Sequence, residues 1–237
     1  LKDLPPTIEE TLSPQLIKTF NLMPRHDALI QIHFPENEDL LRQARFRLKF
    51  EELFYIQLKL LLNKQKRSST QSGRMFTEVG YLFNTFFNDH LPFELTQAQK
   101  RVLKEIRKDT ISGKQMNRLL QGDVGSGKTV IALFSMLLAL DNKQQACLMA
   151  PTEILAAQHF QTITSLLSNL PVNVELLTGS FPESKKKAII ERISSNETHI
   201  LIGTHALIED RVKFNDLGIV IIDEQHRFGV AQRARLW

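Results

Sequence analysis

Gly122-Asp123-Val124-Gly125-Ser126-Gly127-Lys128-Thr129 has the G-x-x-x-x-G-K-[ST] spacing of a phosphate-binding loop. Glycines at 122, 125 and 127 let the backbone curl so that its amides converge on phosphate oxygens. Lys128 is placed to reach the β and γ phosphates, and the Thr129 hydroxyl to ligate magnesium. A second stretch, Ile221-Ile222-Asp223-Glu224-Gln225-His226, is an apolar strand ending in two acids. Asp223 is the candidate magnesium ligand; Glu224 is the candidate base that orients and deprotonates an attacking water. Either stretch alone is a hypothesis, with a glycine-rich turn as the alternative for the first and a solvated pair of acids at a strand end for the second. Together they supply a phosphate cradle, a metal ligand and a base, which is the equipment of nucleotide hydrolysis. ATP and Mg2+ are the expected cofactors. Upstream, Gln99 in Phe93-Glu94-Leu95-Thr96-Gln97-Ala98-Gln99 is a candidate for reading adenine, because an amide can pair with both N6 and N7.

These groups need a strand to enter the loop, a helix to leave it and a sheet whose carboxyl edge presents Asp223. After Pro92 the pattern provides them. Short apolar runs at Arg118–Gln121, Ala146–Ala150, Asn173–Leu177, Ile200–Gly203 and Gly218–Ile222 read as strands. Between them Thr96–Asp109, Lys128–Leu140, Glu153–Leu167 and Glu183–Ser194 read as helices, Thr96 serving as an N-cap. The alternation implies an α/β fold with a parallel sheet covered on both faces.

Residues 1–90 read as all-helical, with no glycine before Gly73. Ser13-Pro14 opens a short helix to Phe20, Pro24 another to about Ile32, and Asn37 caps a long one to about Lys66. The stripe of the long helix is Leu41, Ala44, Leu48, Tyr55, Leu58 and Leu62, interrupted by Glu51. Between Leu53 and Leu62 it is apolar almost all round, which implies clamping between layers. Arg42, Arg45, Arg47 and Lys49 read as a solvated face, with a phosphate backbone as the alternative partner. Lys64 to Gly73 is polar and expected to be mobile. A helix over Thr77–His90 places Phe76, Phe83, Phe86 and Phe87 in a core.

The excess of 30 basic over 26 acidic residues permits a polyanionic partner without demonstrating one. Cys147, the single cysteine, lies in an apolar run and reads as a buried hydrophobe, a usage that suits a reducing cytosol. No run reaches the roughly 18 apolar residues of a membrane span, so no membrane partner is expected. The chain begins at Leu1 and stops at Trp237 without a helix-stop signal, so it is expected to be a piece of a longer protein.

The ordered series Phe93…Gln99, Gly122–Thr129, Ala150-Pro151-Thr152-Glu153-Ile154-Leu155-Ala156, Leu177-Thr178-Gly179-Ser180, Gly203-Thr204-His205-Ala206-Leu207-Ile208 and Asp223-Glu224-Gln225-His226 resembles the first motor domain of superfamily 2 helicases. With Arg227-Phe228-Gly229-Val230 after the acidic pair, the wording is similar to the bacterial RecG-type family of branch-migration helicases. The resemblance spans 91–237 strongly and 1–90 more loosely, through Leu22-Met23-Pro24-Arg25 and Ile32-His33-Phe34-Pro35. It implies a RecA-like P-loop motor domain over 91–237, preceded over 1–90 by a helical linker leading from a DNA wedge. It implies DNA-backbone contacts at Thr152, Thr178, Gly179, Thr204 and His205, and a coupling role for Gln225 and His226. It implies bacterial, cytoplasmic action on branched DNA, at forks and four-way junctions, and a second motor domain absent from these residues. Without that domain the 237 residues alone are expected to turn over ATP poorly. A transcription-repair coupling translocase shares several of these motifs. A P-loop nucleotide switch without motor activity would carry an Asn-Lys-x-Asp motif, which this sequence lacks. A structural module with a vestigial site is opposed by intact Lys128, Thr129, Asp223 and Glu224.

Overall fold

Helix caps and breakers set the first elements of the computed structural model, which describes residues 8–70 and 72–225. The chain forms two compact units, Leu1–Gln71 and Ser72–Trp237. The first is helical: α1 (Pro14–Thr19), α2 (Arg25–His33) and α3 (Glu38–Thr70). Ser13 caps α1 through its side chain, and Asn37 Oδ1 accepts from the amide of Leu40 to start α3. α2 packs along α3, with Ala28 and Ala44 fully buried.

Arg47, read from sequence as part of a solvated face, is instead 0% exposed. Its guanidinium pairs with Glu51 at 2.6 Å and with Glu10. The interruption at Glu51 thereby acquires its reason: this carboxylate also accepts from Thr11 Oγ1 at 2.6 Å. A buried cation persists only where such partners replace its water.

Two further expectations for α3 fail. The helix does not end near Lys66 but continues to Thr70, through much of the polar run expected to be mobile. Its Leu53–Leu62 stretch is not clamped either. Leu53, Ile56, Leu60, Leu61 and Leu62 are each 49% to 62% exposed, and Tyr55 and Leu58 are exposed too. Apolar residues on all sides need cover on more than one side, and α2 alone cannot give it.

The second unit starts before the composition shift at 90. Phe76 and Phe86 are buried in its core, and Phe83, Phe86 and Phe87 surround Phe134 with ring centroids 4.9, 5.1 and 6.2 Å away. Phe87 stays 42% exposed, short of full core burial. The expected helix over Thr77–His90 is shorter and split: α4 (Tyr81–Thr85), then a π-helical turn over Phe86–His90. Asp141 explains the late start. Its carboxylate accepts from the amides of Gly80, Leu82 and Phe83 at 2.9 to 3.0 Å, fixing the first turn at Gly80.

Four parallel strands follow, β1 (Gln145–Met149), β2 (Val174–Leu177), β3 (Ile200–Gly203) and β4 (Leu217–Ile222), in the order β2-β3-β1-β4. The helices are α5 (Gln97–Thr110), α6 (Lys128–Asp141), α7 (Glu153–Leu166) and α8 (Glu183–Ser194). Alternate residues of β1 serve opposite faces. Ala146 and Leu148 join the cluster of α6 and α7, while Cys147 and Met149 join that of α8. Both faces are covered, as a parallel sheet requires. Nearly all of α6 from Val130 to Leu140 is buried, and Ser135 satisfies its hydroxyl by donating to the Ile131 carbonyl at 2.8 Å.

The expected strand Arg118–Gln121 is not formed; these residues pair with no strand among those described. Arg118 is drawn to α5 by Asp109 and Glu105, at 2.7 and 2.6 Å, and Leu119 is 60% exposed. Two leucines are too short an apolar run to outweigh that attachment. Among the described residues no helix is long and apolar enough to cross a membrane.

Candidate functional site

Strand register gathers the motif residues. Met149 lies opposite both Gly203 and Ile222, and Leu177 opposite Gly203. The segments leaving β1, β2, β3 and β4 therefore emerge at one edge. They carry Thr152, Thr178-Gly179, Thr204-His205 and Asp223-Glu224. That is the carboxyl edge, where open α/β sheets place their ligands.

The phosphate loop runs into α6 from unpaired backbone rather than from a strand. Gly125 and Gly127 have φ of 79° and 82°, a region costly for any residue with a Cβ. A Cβ on Gly127 would also lie 2.4 Å from Gln99 Nε2. Gln99 is packed against the loop and donates from that nitrogen to the Ser126 carbonyl at 2.9 Å. Its Oε1 accepts from the Thr96 amide at 2.8 Å, closing a capping box on α5. The structure thus gives the Gln99 amide two partners within the chain, a loop carbonyl and a helix cap. Lys128 Nζ donates to the carbonyls of Gly122 and Asp123, both at 2.8 Å, and so lies over its own loop. Val124 points fully into solvent, and Asp123 and Ser126 are exposed. Thr129 is half-buried in the first turn of α6.

Asp223 is anchored by its own backbone and by a partner absent from the sequence reading. Its amide donates to Met149 O at 2.9 Å, extending the β4 ladder onto β1. Its Oδ1 accepts from the Glu224 amide at 2.9 Å, and its Oδ2 faces His159 Nε2 at 2.8 Å. Glu224 is exposed and left-handed, with φ of 49°, an uncommon conformation for a residue with a side chain. Gln225 is exposed; His226 lies outside the described residues.

The residues singled out for DNA divide in two. Thr152, Gly179 and His205 are exposed. Thr178 and Thr204 are only 3% and 2% exposed. Thr152 caps α7 by accepting from the Leu155 amide, while the Thr178 and Ser180 hydroxyls are 3.1 Å apart. Thr204 Oγ1 is buried without a hydrogen-bond partner.

Two contacts passed unseen in the sequence. Glu153 accepts from both the amide and the hydroxyl of Ser180, at 3.0 and 2.6 Å. These bonds from Ser180, with smaller help from Gly179 and His205, hold its carboxyl below the ordinary carboxylate range. The turn after β2 is thereby tied to the start of α7. His159 is the second. It follows Ala150–Ala156 closely, and continuing that stretch by three residues would have reached it. Cys147 behaves as expected: burial raises its thiol pKa to about 12.

Residues 96–237 match the family model of DEAD/DEAH box helicases. Over 229 residues the chain is 48% identical to the ATP-dependent DNA helicase RecG of Synechocystis sp., covering 97% of this chain and 27% of that protein. The RecG of Bacillus subtilis is 45% identical over 231 residues, covering 97% of this chain and 34% of that protein. A solved structure of RecG bound to a three-way DNA junction superposes with a TM-score of 0.82 at 43% identity. That match covers 94% of this chain and 30% of the other. The chain thus spans between a quarter and about a third of the length of these relatives.

Proposed function

Because the chain belongs to the DEAD/DEAH box helicase family, we propose that it forms the first motor domain, with its preceding helical segment, of a RecG-type DNA translocase. In this reading residues 91–237 carry the motor motifs, 72–90 pack into the same unit, and the helices before them are the linker from a DNA wedge. The whole protein would couple ATP hydrolysis to remodelling of stalled forks and four-way junctions, in a bacterial cytoplasm. The observation that carries the proposal is the shared carboxyl edge. It delivers Asp223 and Glu224 from β4 to the same edge as the exposed Thr152, Gly179 and His205, which follow β1, β2 and β3.

The donor set suits a nucleoside triphosphate with Mg2+. A small hard cation uses one or two carboxylates, a hydroxyl and phosphate oxygens rather than a cage of protein ligands. Among the described residues no cluster of three or more acidic, histidine or cysteine side chains forms such a cage. Asp223 and Thr129 would hold the cation; Gly122 to Thr129 would wrap the phosphates. Bound ATP and Mg2+ would supply the transferable phosphoryl group and the charge that neutralises it. Lys128 would exchange the Gly122 and Asp123 carbonyls for phosphate oxygens. Glu224 would orient the attacking water. Gln99 would seat the base side of the nucleotide and brace the loop at Ser126. Thr152, Gly179 and His205 would take backbone phosphates directly, with Thr178 and Thr204 shaping their turns. Gln225 and His226 would relay the state of the acidic pair to a facing second motor domain.

The test is ATP turnover by the intact protein with forked, linear duplex and single-stranded DNA. Forked DNA should stimulate most. Lys128→Ala should lower turnover by about 10²-fold or more, since developing charge loses a fixed donor. Near-native turnover in that variant would overturn the site.

A further inference from the structure

His159 sits where α7 turns toward the sheet. Ala156 and Ile163, three residues before it and four after, are both fully buried. Residues at that spacing share a helix face, so His159 occupies a core-facing position. Its side chain is 16% exposed. A polar ring there needs a partner, and it meets Asp223 Oδ2 at 2.8 Å. An ionised carboxylate only accepts, so Nε2 carries the proton and donates.

We propose that His159 is a positioning residue for Asp223, fixing the orientation in which that carboxylate meets magnesium. The inference rests on the reading of Asp223 as the magnesium-holding acid. Two donors grip the group from different sides: the Glu224 amide at Oδ1 and His159 at Oδ2. The Asp223 amide bonded to Met149 O fixes the backbone, and the two side-chain bonds restrain rotation of the carboxylate. A carboxylate offers about four lone-pair sites, so about two remain for a cation or its water. At 33% exposed, the Asp223 side chain is still reachable.

The helix bearing His159 adds a second consequence. Thr152 caps α7, and His159 follows about two turns later. A rigid helix therefore connects an exposed residue of the proposed DNA face with the acid of the nucleotide site. A shift of α7 on DNA binding would be felt at Asp223 Oδ2.

The experiment titrates the intact protein with a fluorescent N-methylanthraniloyl ATP analogue, first in EDTA and then across Mg2+ concentrations. His159→Phe keeps a flat ring and removes the donor. It should bind the analogue as the wild type does in EDTA. It should need about 10-fold or more Mg2+ to reach the tightened state, the usual scale for losing a hydrogen bond behind a metal ligand. His159→Gln, which restores an N–H at similar reach, should recover most of the loss. If His159→Phe does not fold, His159→Ala takes its place against His159→Gln. Unchanged Mg2+ dependence in the donor-less variant, or equal loss in both variants, would overturn the proposal. Asp223→Asn separates the two readings. If it leaves the Mg2+ effect intact, the metal assignment of Asp223 is wrong. If it abolishes the effect while His159→Phe does not, only the role of His159 falls.

Discussion

Asp223 and Glu224 are adjacent, yet the backbone treats them differently. Asp223 continues the ladder to Met149, whereas Glu224 turns left-handed and out into solvent. The turn separates the clamped acid proposed to hold the metal from the acid proposed as the base. Glu224→Gln keeps shape and hydrogen-bonding reach but cannot take a proton. It should leave binding of the ATP analogue unchanged and reduce turnover by about 10²-fold or more. Loss of binding along with turnover would make Glu224 a ligand or a structural residue. The sequence displayed both acids and the whole phosphate loop, because each motif is contiguous and its chemistry local. It could not display the contact of His159 with Asp223, 64 positions away. Nor could it display the burial of Thr178 and Thr204, which depends on how the strand ends pack.

Among the elements, β3 and α8 have the bounds expected from sequence, β2, β4, α6 and α7 differ by a residue at one end, and β1 and α5 by a residue at both. These have apolar or strongly periodic runs, and α5 and α7 have side-chain caps at Thr96 and Thr152 as well. The Arg118–Gln121 segment had neither, and its arginine found carboxylates on α5. Leu53–Leu62 shows the opposite limit: composition reveals that a helix is apolar, not what covers it. The join between β2 and β3 carries its own pH sensitivity. The amide of Asn173 donates to His199 Nδ1 at 2.9 Å, and burial lowers the His199 pKa from its ordinary 6.5. A proton on Nδ1 would destroy that acceptor. The folded state then binds fewer protons at this site than the unfolded chain. The contribution is complete above about pH 6.5 and lost as pH falls through the lowered folded value. His199→Asn keeps an acceptor that does not titrate. Between pH 7 and pH 5 the thermal midpoint of the wild type should fall relative to His199→Asn; parallel curves would refute this.

For the whole molecule, the two compact units divide after Gln71, so Phe76 and Phe86 belong with the sheet unit despite their helical setting. The proposed DNA face offers hydroxyls, amides and an imidazole at strand ends, not a helix shaped for a groove. Recognition by such groups goes to the backbone. Affinity of the intact protein for forked DNA should therefore fall steeply with salt, linearly in a log–log plot. It should change little when the bases are scrambled at constant branch geometry. A strong sequence preference would contradict the assignment. Cys147 has a practical corollary. The one thiol in these 237 residues is fully buried and its pKa is raised to about 12. At neutral pH it offers almost no thiolate to an alkylating dye. A cysteine placed at Ile154, which is 73% exposed in the first turn of α7, would stand against a silent background within these 237 residues. A fluorophore there would report from beside Thr152 with no prior need to remove the native thiol.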